Sequence, residues 1–410
     1  MEIVLVTPEV VPYSKVGGLG DVSGALPKAL RALGHKVTVL SLRYGSVDPA
    51  AHSLARRLTR IKVPLAGQVV DAELWEARLP SGVNVCLLGG PGVSDRAGVY
   101  GEGGKEYADN HLRFGLLCRG AIEWMRAQPR LPDVVHVHDW PASLVPTMLK
   151  HLAKETPALG HIKTVLTIHN LAHQGLFAPE TLGDLGLPAS EASPDRMEFW
   201  GAVSWLKAAI LDSDRVTTVS PGYAKEVLTP AGGARMDGVL RASAKGFTGI
   251  LNGVDPGVWN PSTDPHVIAR YDAEDPLPKA RCKTDLQQRL GLPVKPETPV
   301  LAMVSRVDTQ KGIDLLAGAA HTLLRQDVQL VVQGQGDPAL MDVLAAIARE
   351  APEKMVFRTE YDDALAHRIF AGADLFLAPQ ALRALRAHAA LRDALRGHPR
   401  GARDGDCATR

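Results

Sequence analysis

The 410-residue sequence has no apolar run long enough to span a bilayer, so no membrane-embedded helix is expected. It has no basic leader and no small-residue cleavage site. It opens at once on the strand-like Ile3-Val4-Leu5-Val6, which argues against a secretory signal. Cysteine is sparse: Cys86, Cys118, Cys282 and Cys407 are scattered without metal-ligand spacing and read as reduced thiols of a cytoplasmic protein. Neither sign of charge dominates, the formal net charge being +1, so nothing calls for nucleic acid or a membrane as partner. There is no Walker A loop, no G-x-G-x-x-G fingerprint and no G-x-S-x-G elbow, since Ser220-Pro221-Gly222 does not make one. His136, His138 and Asp139 could imitate a metal site. Ligands on one strand are split between environments, however, and no second cluster completes the set, so no metal or cofactor is expected.

What is present is alternation. Short β-rich apolar runs alternate with longer helical patterns, the signature of βα units around a parallel sheet, and the length favours two domains. In the first half, strands are expected at Ile3–Thr7, Lys36–Leu40, Val134–His138, Thr164–Ile168 and Arg215–Val219. A helix face recurs from Val22 to Leu33 and is closed by Gly34 as C-cap glycine. Pro27 must lie in that helix's first turn or kink it. A Gly/Pro-rich stretch around 252–265 marks a hinge. A second series then follows, with strands at Val300–Val304, Val328–Val332, Met355–Phe357 and Leu375–Leu377. Its helices are expected at Ile313–Leu324, Ala339–Ile347 and Ala364–Phe370. The expected architecture is two doubly wound α/β domains with a cleft between them. The first is assigned residues 1–245, the second 246–380, and an aberrant tail 381–410.

Polar residues gather at the C-terminal ends of these strands, where open α/β sheets bind ligands. The loop Lys15-Val16-Gly17-Gly18-Leu19-Gly20-Asp21 could cradle a phosphate with its glycine amides, a helix N-terminus and a lysine. On spacing alone, a plain βα turn with a solvated lysine fits equally well. In Ser305-Arg306-Val307-Asp308-Thr309-Gln310-Lys311-Gly312, Arg306 and Lys311 can converge on one diphosphate and stabilise a departing nucleoside diphosphate without a metal. By itself a solvated loop is the plainer reading; the glycine-rich Gly334-Gln335-Gly336-Asp337 after the next strand weakens it. His169 ends a strand, a place where histidine is more often structural than functional.

Together these segments resemble the bacterial glycogen synthase and plant starch synthase family, which has two Rossmann-like domains (GT-B type) and retains anomeric configuration. The matching stretches are Lys15 to Val22, His136 to Trp140, Thr167 to Gly175, Thr218 to Ala224, Leu251 to Asp255 and Ser305 to Gly312. They follow the family's order over roughly residues 1–380. The resemblance implies transfer of glucose from ADP-glucose to the non-reducing end of an α-1,4-glucan such as glycogen. It implies a catalytic set of His169, Arg306, Lys311 and Asp139. Donor contacts would come from Lys15, Gly17, Gly18, Asp21, Asn252, Gly334, Gly336 and Asp337, with Tyr361 beside the adenine. The family's usual picture needs no enzymic nucleophile, because the leaving phosphate assists the incoming hydroxyl on the same face. Val16, His173 and Thr359-Glu360 depart from the usual residues, the last beside the base pocket.

The larger departure comes after Pro379. The family continues with Arg-Phe-Glu-Pro-Cys-Gly-Leu-Thr-Gln, and this chain with Ala381-Leu382-Arg383-Ala384-Leu385-Arg386-Ala387-His388-Ala389. From Ala381 on there are seven Arg and three Asp, with no Lys or Glu. Such an end suits either an amphipathic helix or a shifted reading frame. One permitted choice of codons for Ala381 onward, GCG CTT CGA GCC CTG CGG GCT CAC GCA G, spells the family motif in full when read from the second base. The family's essential glutamate then has no counterpart here, uncovered strand edges destabilise the second domain, and an impaired enzyme is expected. The alternatives are a UDP-glucose-using transferase, a catalytically dead glucan- or nucleotide-binding remnant, or a product that fails to accumulate. The frameshift expectation is checked on the gene. Its nucleotide sequence past Pro379 should encode the motif in the shifted frame; a sequence that cannot do so ends the idea.

Overall fold

Ile3, Val4, Leu5 and Val6 are all buried, without the alternation of a half-exposed strand. Such a strand belongs inside a parallel sheet covered on both faces. The structure, a computed structural model, describes residues 1–243, 246–360 and 362–379. It divides into two compact units between Gly253 and Val254.

The first unit is built on a ten-stranded sheet. Its order is Thr248–Gly249, Arg215–Thr218, Lys163–Ile168, Val134–His138, Glu2–Val6, Lys36–Leu42, Asn84–Gly89, Gln68–Arg78 and Ala55–Arg56, with Ile61–Leu65 pairing off Gln68–Arg78. Pairing is parallel from Thr248–Gly249 through Asn84–Gly89 and antiparallel beyond. The chain leaves Glu2–Val6 towards one edge and returns at Val134–His138 to build the other. The crevice past the C-terminal ends of these two strands is therefore the topological switch point, where open α/β sheets hold ligands. The antiparallel edge was not legible as βα alternation. Neither was a small three-stranded sheet of Leu176–Phe177, Ala202–Ser204 and Glu198–Phe199.

The helix after the first strand spans Gly18–Ala32, and Pro27 lies in its interior rather than in the first turn. The helix ends as expected. Gly34 is left-handed (φ 87°), its N–H donates to Arg31 O, and the His35 N–H donates to Leu30 O. That pair of bonds is the Schellman closure, and it needs a residue without a Cβ penalty. Among the described residues, no helix is long and apolar enough to cross a membrane.

In the second unit four parallel strands run in the order Met355–Arg358, Gln329–Gln333, Val300–Val304 and Leu375–Phe376. Alternate residues of the central strands feed two separate cores. Val300, Ala302, Val304 and Val331 pack with Leu286, Leu290, Ile369 and Phe370 of the helices Lys279–Leu290 and Asp363–Gly372. Leu301, Met303, Leu330 and Val332 pack with Leu316, Ala320, Leu344 and Ile347 of Ile313–Leu324 and Pro338–Glu350. Helices on both faces of a parallel sheet make this unit doubly wound, as expected. The segment leading into it is fastened by Trp259, stacked on His367 at 3.8 Å, and by Asp264, whose Oδ2 lies 2.5 Å from His367 Nδ1.

Candidate functional site

The strand Glu2–Val6 runs out into Thr7-Pro8-Glu9 and a loop that returns as the helix Gly18–Ala32. Glu9 is buried. Its Oε2 accepts the Val16 N–H at 2.6 Å and the Gly17 N–H at 2.9 Å, and its Oε1 accepts the Tyr100 hydroxyl at 2.6 Å. One carboxylate thus fixes the backbone that carries Lys15. Sequence reading missed Glu9 and Tyr100. The available signal was an acidic residue directly beyond a buried strand, facing a glycine-rich turn that offers unpaired amides. The Gly17 amide, expected to reach a phosphate, is committed to Glu9 instead. Gly18 opens the helix, where the first amides have no intrahelical acceptor. Lys15 and Asp21 are brought together as a partly exposed ion pair at 2.8 Å.

Asp139 and His169 meet at the ends of adjacent strands. Asp139 adopts a left-handed backbone (φ 55°), and its Oδ1 accepts the N–H of His169 at 2.6 Å and of Asn170 at 3.4 Å. The surrounding protein pushes its carboxyl up to about 7; the two amides pull it down and Glu9 adds to the rise. His138 Nδ1 lies 3.0 Å from His169 Nε2, and the rings of His136 and His138 stack at 4.3 Å. Burial lowers His136 to about 4 and His169 to about 3, and holds His138 well below its ordinary value. These imidazoles are therefore neutral and act through hydrogen bonds rather than charge. His169 Nδ1 and His138 Nε2 are buried without a hydrogen-bond partner among the described residues. Asn252, half-buried beyond the strand Thr248–Gly249, donates its N–H to Val219 O.

In the second unit the loop after Val300–Val304 is organised by Asp308. Its carboxylate accepts the Lys311 N–H at 2.8 Å and pairs with Arg306 at 3.2 Å. Lys311 is buried, and its ammonium has no ion-pair partner among the described residues. Burial and then repulsion from Arg306 lower it to about 8, against the pull of Asp308. Arg306 and Lys311 are thus two electrostatically coupled cations on one loop, the arginine paired with Asp308.

The Gly334-Gln335-Gly336-Asp337 turn needs its glycines for another reason than the one expected. A Cβ on Gly334 would lie 1.8 Å from Ser305 O, and one on Gly336 2.2 Å from Val307 O. The turn packs backbone to backbone against the Arg306 loop. The Gly334 amide donates to Arg358 O and the Gly336 amide to Met341 Sδ, so neither is held out for a nucleotide. The Asp337 carboxylate caps the next helix, accepting the N–H groups of Ala339 and Leu340. Tyr361, the expected adenine neighbour, and the tail 381–410 lie outside the described residues.

Comparison with known proteins gives a consistent result. The model of the starch synthase catalytic domain family matches residues 2–242. A glycogen synthase of Anaeromyxobacter dehalogenans (strain 2CP-1 / ATCC BAA-258) is 46% identical over 380 residues, 92% of this chain and 78% of its own. A glycogen synthase of Myxococcus xanthus (strain DK1622) is 41% identical over 386 residues, covering 92% and 79%. The solved catalytic domain of starch synthase IV from Arabidopsis thaliana, bound to ADP and acarbose, superposes with a TM-score of 0.86. It is 32% identical and covers 93% of this chain and 78% of that one.

The histidine cluster makes a pH prediction. Imidazoles held near 3 to 4 when folded, against about 6.5 unfolded, contribute stability that is complete above about pH 6.5 and is lost as pH falls, at up to about 1.4 kcal/mol per pH unit for each histidine. Asp139 has the opposite sign: its raised value favours the fold below about pH 4, and that contribution is lost as pH rises through about 7. Melting temperature followed from neutral pH down to about 4.5 should fall more steeply for the native chain than for His136→Gln. Equal slopes would contradict the buried neutral cluster.

Proposed function

Because the chain belongs to the bacterial glycogen synthase and starch synthase family of glycosyltransferases, we propose that it handles ADP-glucose as donor and an α-1,4-glucan such as glycogen as acceptor. The reaction moves glucose to the non-reducing end with retention. The bond from the sugar C1 to the phosphate oxygen breaks and its electron pair leaves with ADP. The acceptor's 4-hydroxyl oxygen bonds to C1 on the same face, and its proton passes to the departing phosphate.

The observation that carries this reading is the buried Lys311 beside Arg306, a paired positive site with one charge left uncompensated. These two hold the diphosphate as charge builds on it, which lowers the barrier without a metal. Lys15, set on its loop by Glu9 and paired with Asp21, makes a further phosphate contact, with Gly17 and Gly18 giving the loop its shape. His169 and Asn252 hold sugar hydroxyls, and Asp139 orients the turn that carries His169. Tyr361 flanks the adenine. Gly334 and Gly336 let two backbones meet beneath the cation loop, and Asp337 fixes the helix that follows. Where the resemblance places an essential glutamate, residues 381–389 hold no carboxylate, so this chain keeps donor-holding groups and turns over slowly.

Calorimetric titration with ADP tests the reading. Phosphate favours charged Lys311, so affinity should fall as pH rises above about 8, by up to about tenfold per unit, and Lys311→Arg should remove that slope. Glucose transfer from ADP-glucose to glycogen should be slight for this chain and should return when Arg-Phe-Glu-Pro-Cys-Gly-Leu-Thr-Gln replaces residues 381–389 together with the rest of the shifted-frame sequence. No ADP binding, with no transfer in either chain, would overturn the reading.

A further inference from the structure

The chain has six tryptophans. Trp124, Trp140, Trp205 and Trp259 are buried and Trp75 is half-buried, whereas Trp200 is 74% exposed. Trp200 sits with Gly201 in the two-residue turn between Glu198–Phe199 and Ala202–Ser204, at φ 54° and 84°. Such turns ordinarily take Asn, Asp or Gly, and a bulky side chain in the left-handed region is an outlier. The indole therefore meets a backbone cost and leaves most of its apolar surface in water, so the fold gains little burial from it. The turn is fixed all the same: Gly201 N–H donates to Glu198 Oε1 at 2.9 Å.

A second side chain is set against it. Arg235, also left-handed (φ 66°) and exposed, holds its guanidinium carbon 5.1 Å from the Trp200 ring centroid. Among the described residues it has no carboxylate partner, so its donors face solvent beside an open aromatic face. This corner is tied to the His169 segment through Gln174, whose Nε2 donates to Ala234 O at 2.9 Å. The Gln174 carbonyl accepts the Leu206 N–H and the Ser204 hydroxyl, fastening the small sheet to the same segment.

We propose that Trp200 and Arg235 form an auxiliary glucan-binding platform, which holds acceptor units remote from the reacting end. The proposal rests on the glucan acceptor named above. A pyranose ring presents an apolar face of C–H groups that matches an indole, and its rim of hydroxyls suits a guanidinium with unused donors. The occupant is neutral, so binding changes little with salt; a nucleic acid on the same two residues would be strongly salt-dependent.

The test is native electrophoresis of the full chain in gels with and without glycogen, joined to tryptophan fluorescence on titration with maltoheptaose. The native chain should be retarded by glycogen and its emission should shift with maltoheptaose. Trp200→Ala should raise the apparent dissociation constant about tenfold, Trp200→Tyr should keep most of the affinity, and Arg235→Ala should fall between. Melting temperatures of all three variants, read beside the native chain, separate lost binding from lost folding. Trp200→Phe should abolish the fluorescence shift. Equal retardation of native and Trp200→Ala chains, or no retardation of a native chain that binds ADP, overturns the platform while leaving the donor reading intact. A response to single-stranded DNA that salt suppresses, in place of maltoheptaose, overturns it in favour of base stacking.

Discussion

A buried carboxylate must be matched by donors, and in the first unit the Glu9 carboxylate finds them in the loop that carries Lys15. Two backbone amides and a tyrosine hydroxyl converge on it. Leaving such a group unpaired costs several kcal/mol, so the loop and the carboxylate fix one another. The neighbouring contacts follow from this arrangement. Thr7 and Ser23 bond across the strand-to-helix turn, Tyr44 donates to Pro8 O, and Lys15 is set where it reaches Asp21. All of this lies past the strand from which the sheet is extended in both directions. Position in the topology and local hydrogen bonding thus select the same crevice.

The second unit repeats the logic with other residues. Asp308 caps a short turn and in doing so holds Arg306 and Lys311 near each other, at the expense of Lys311's proton affinity. Close backbone packing beneath the loop, at Gly334 and Gly336, leaves it little room to relax. In both units an acidic side chain bonds backbone amides of a loop that carries a lysine, Glu9 those of Val16 and Gly17 beside Lys15 and Asp308 that of Lys311 itself.

Much of the parallel framework was legible: Val300–Val304 reads as an unbroken apolar run, and the strand Val134–His138 and the helix Ile313–Leu324 also fall where the pattern put them. The antiparallel edge from Ala55 to Gly89 was not, since its strands carry no intervening helix to mark them. Site residues were found as types and not as geometry. The sequence shows glycines beside a lysine; it does not show that the Gly17, Gly334 and Gly336 amides are already bonded. Glu9 left only the weak signal of an acid beyond a buried strand, Tyr100 reaches it from 91 residues away, and Asp308 acts through a cap, so spacing alone did not give their roles. Family resemblance supplied the chemistry of the ligands, which physical patterning alone had left open at each loop.

If Glu9 is what fixes the Lys15 loop, its amides should be closed to water although the loop lies at the surface. Residue-resolved amide hydrogen exchange at Val16 and Gly17 tests this most directly, in the native chain and in Glu9→Ala, with Val4 and Leu5 of the buried strand as reference. The account predicts that both loop amides are protected by more than about tenfold in the native chain and lose that protection in the variant while the strand keeps its own. Exchange at unprotected rates in the native chain, or protection unchanged in the variant, would contradict it.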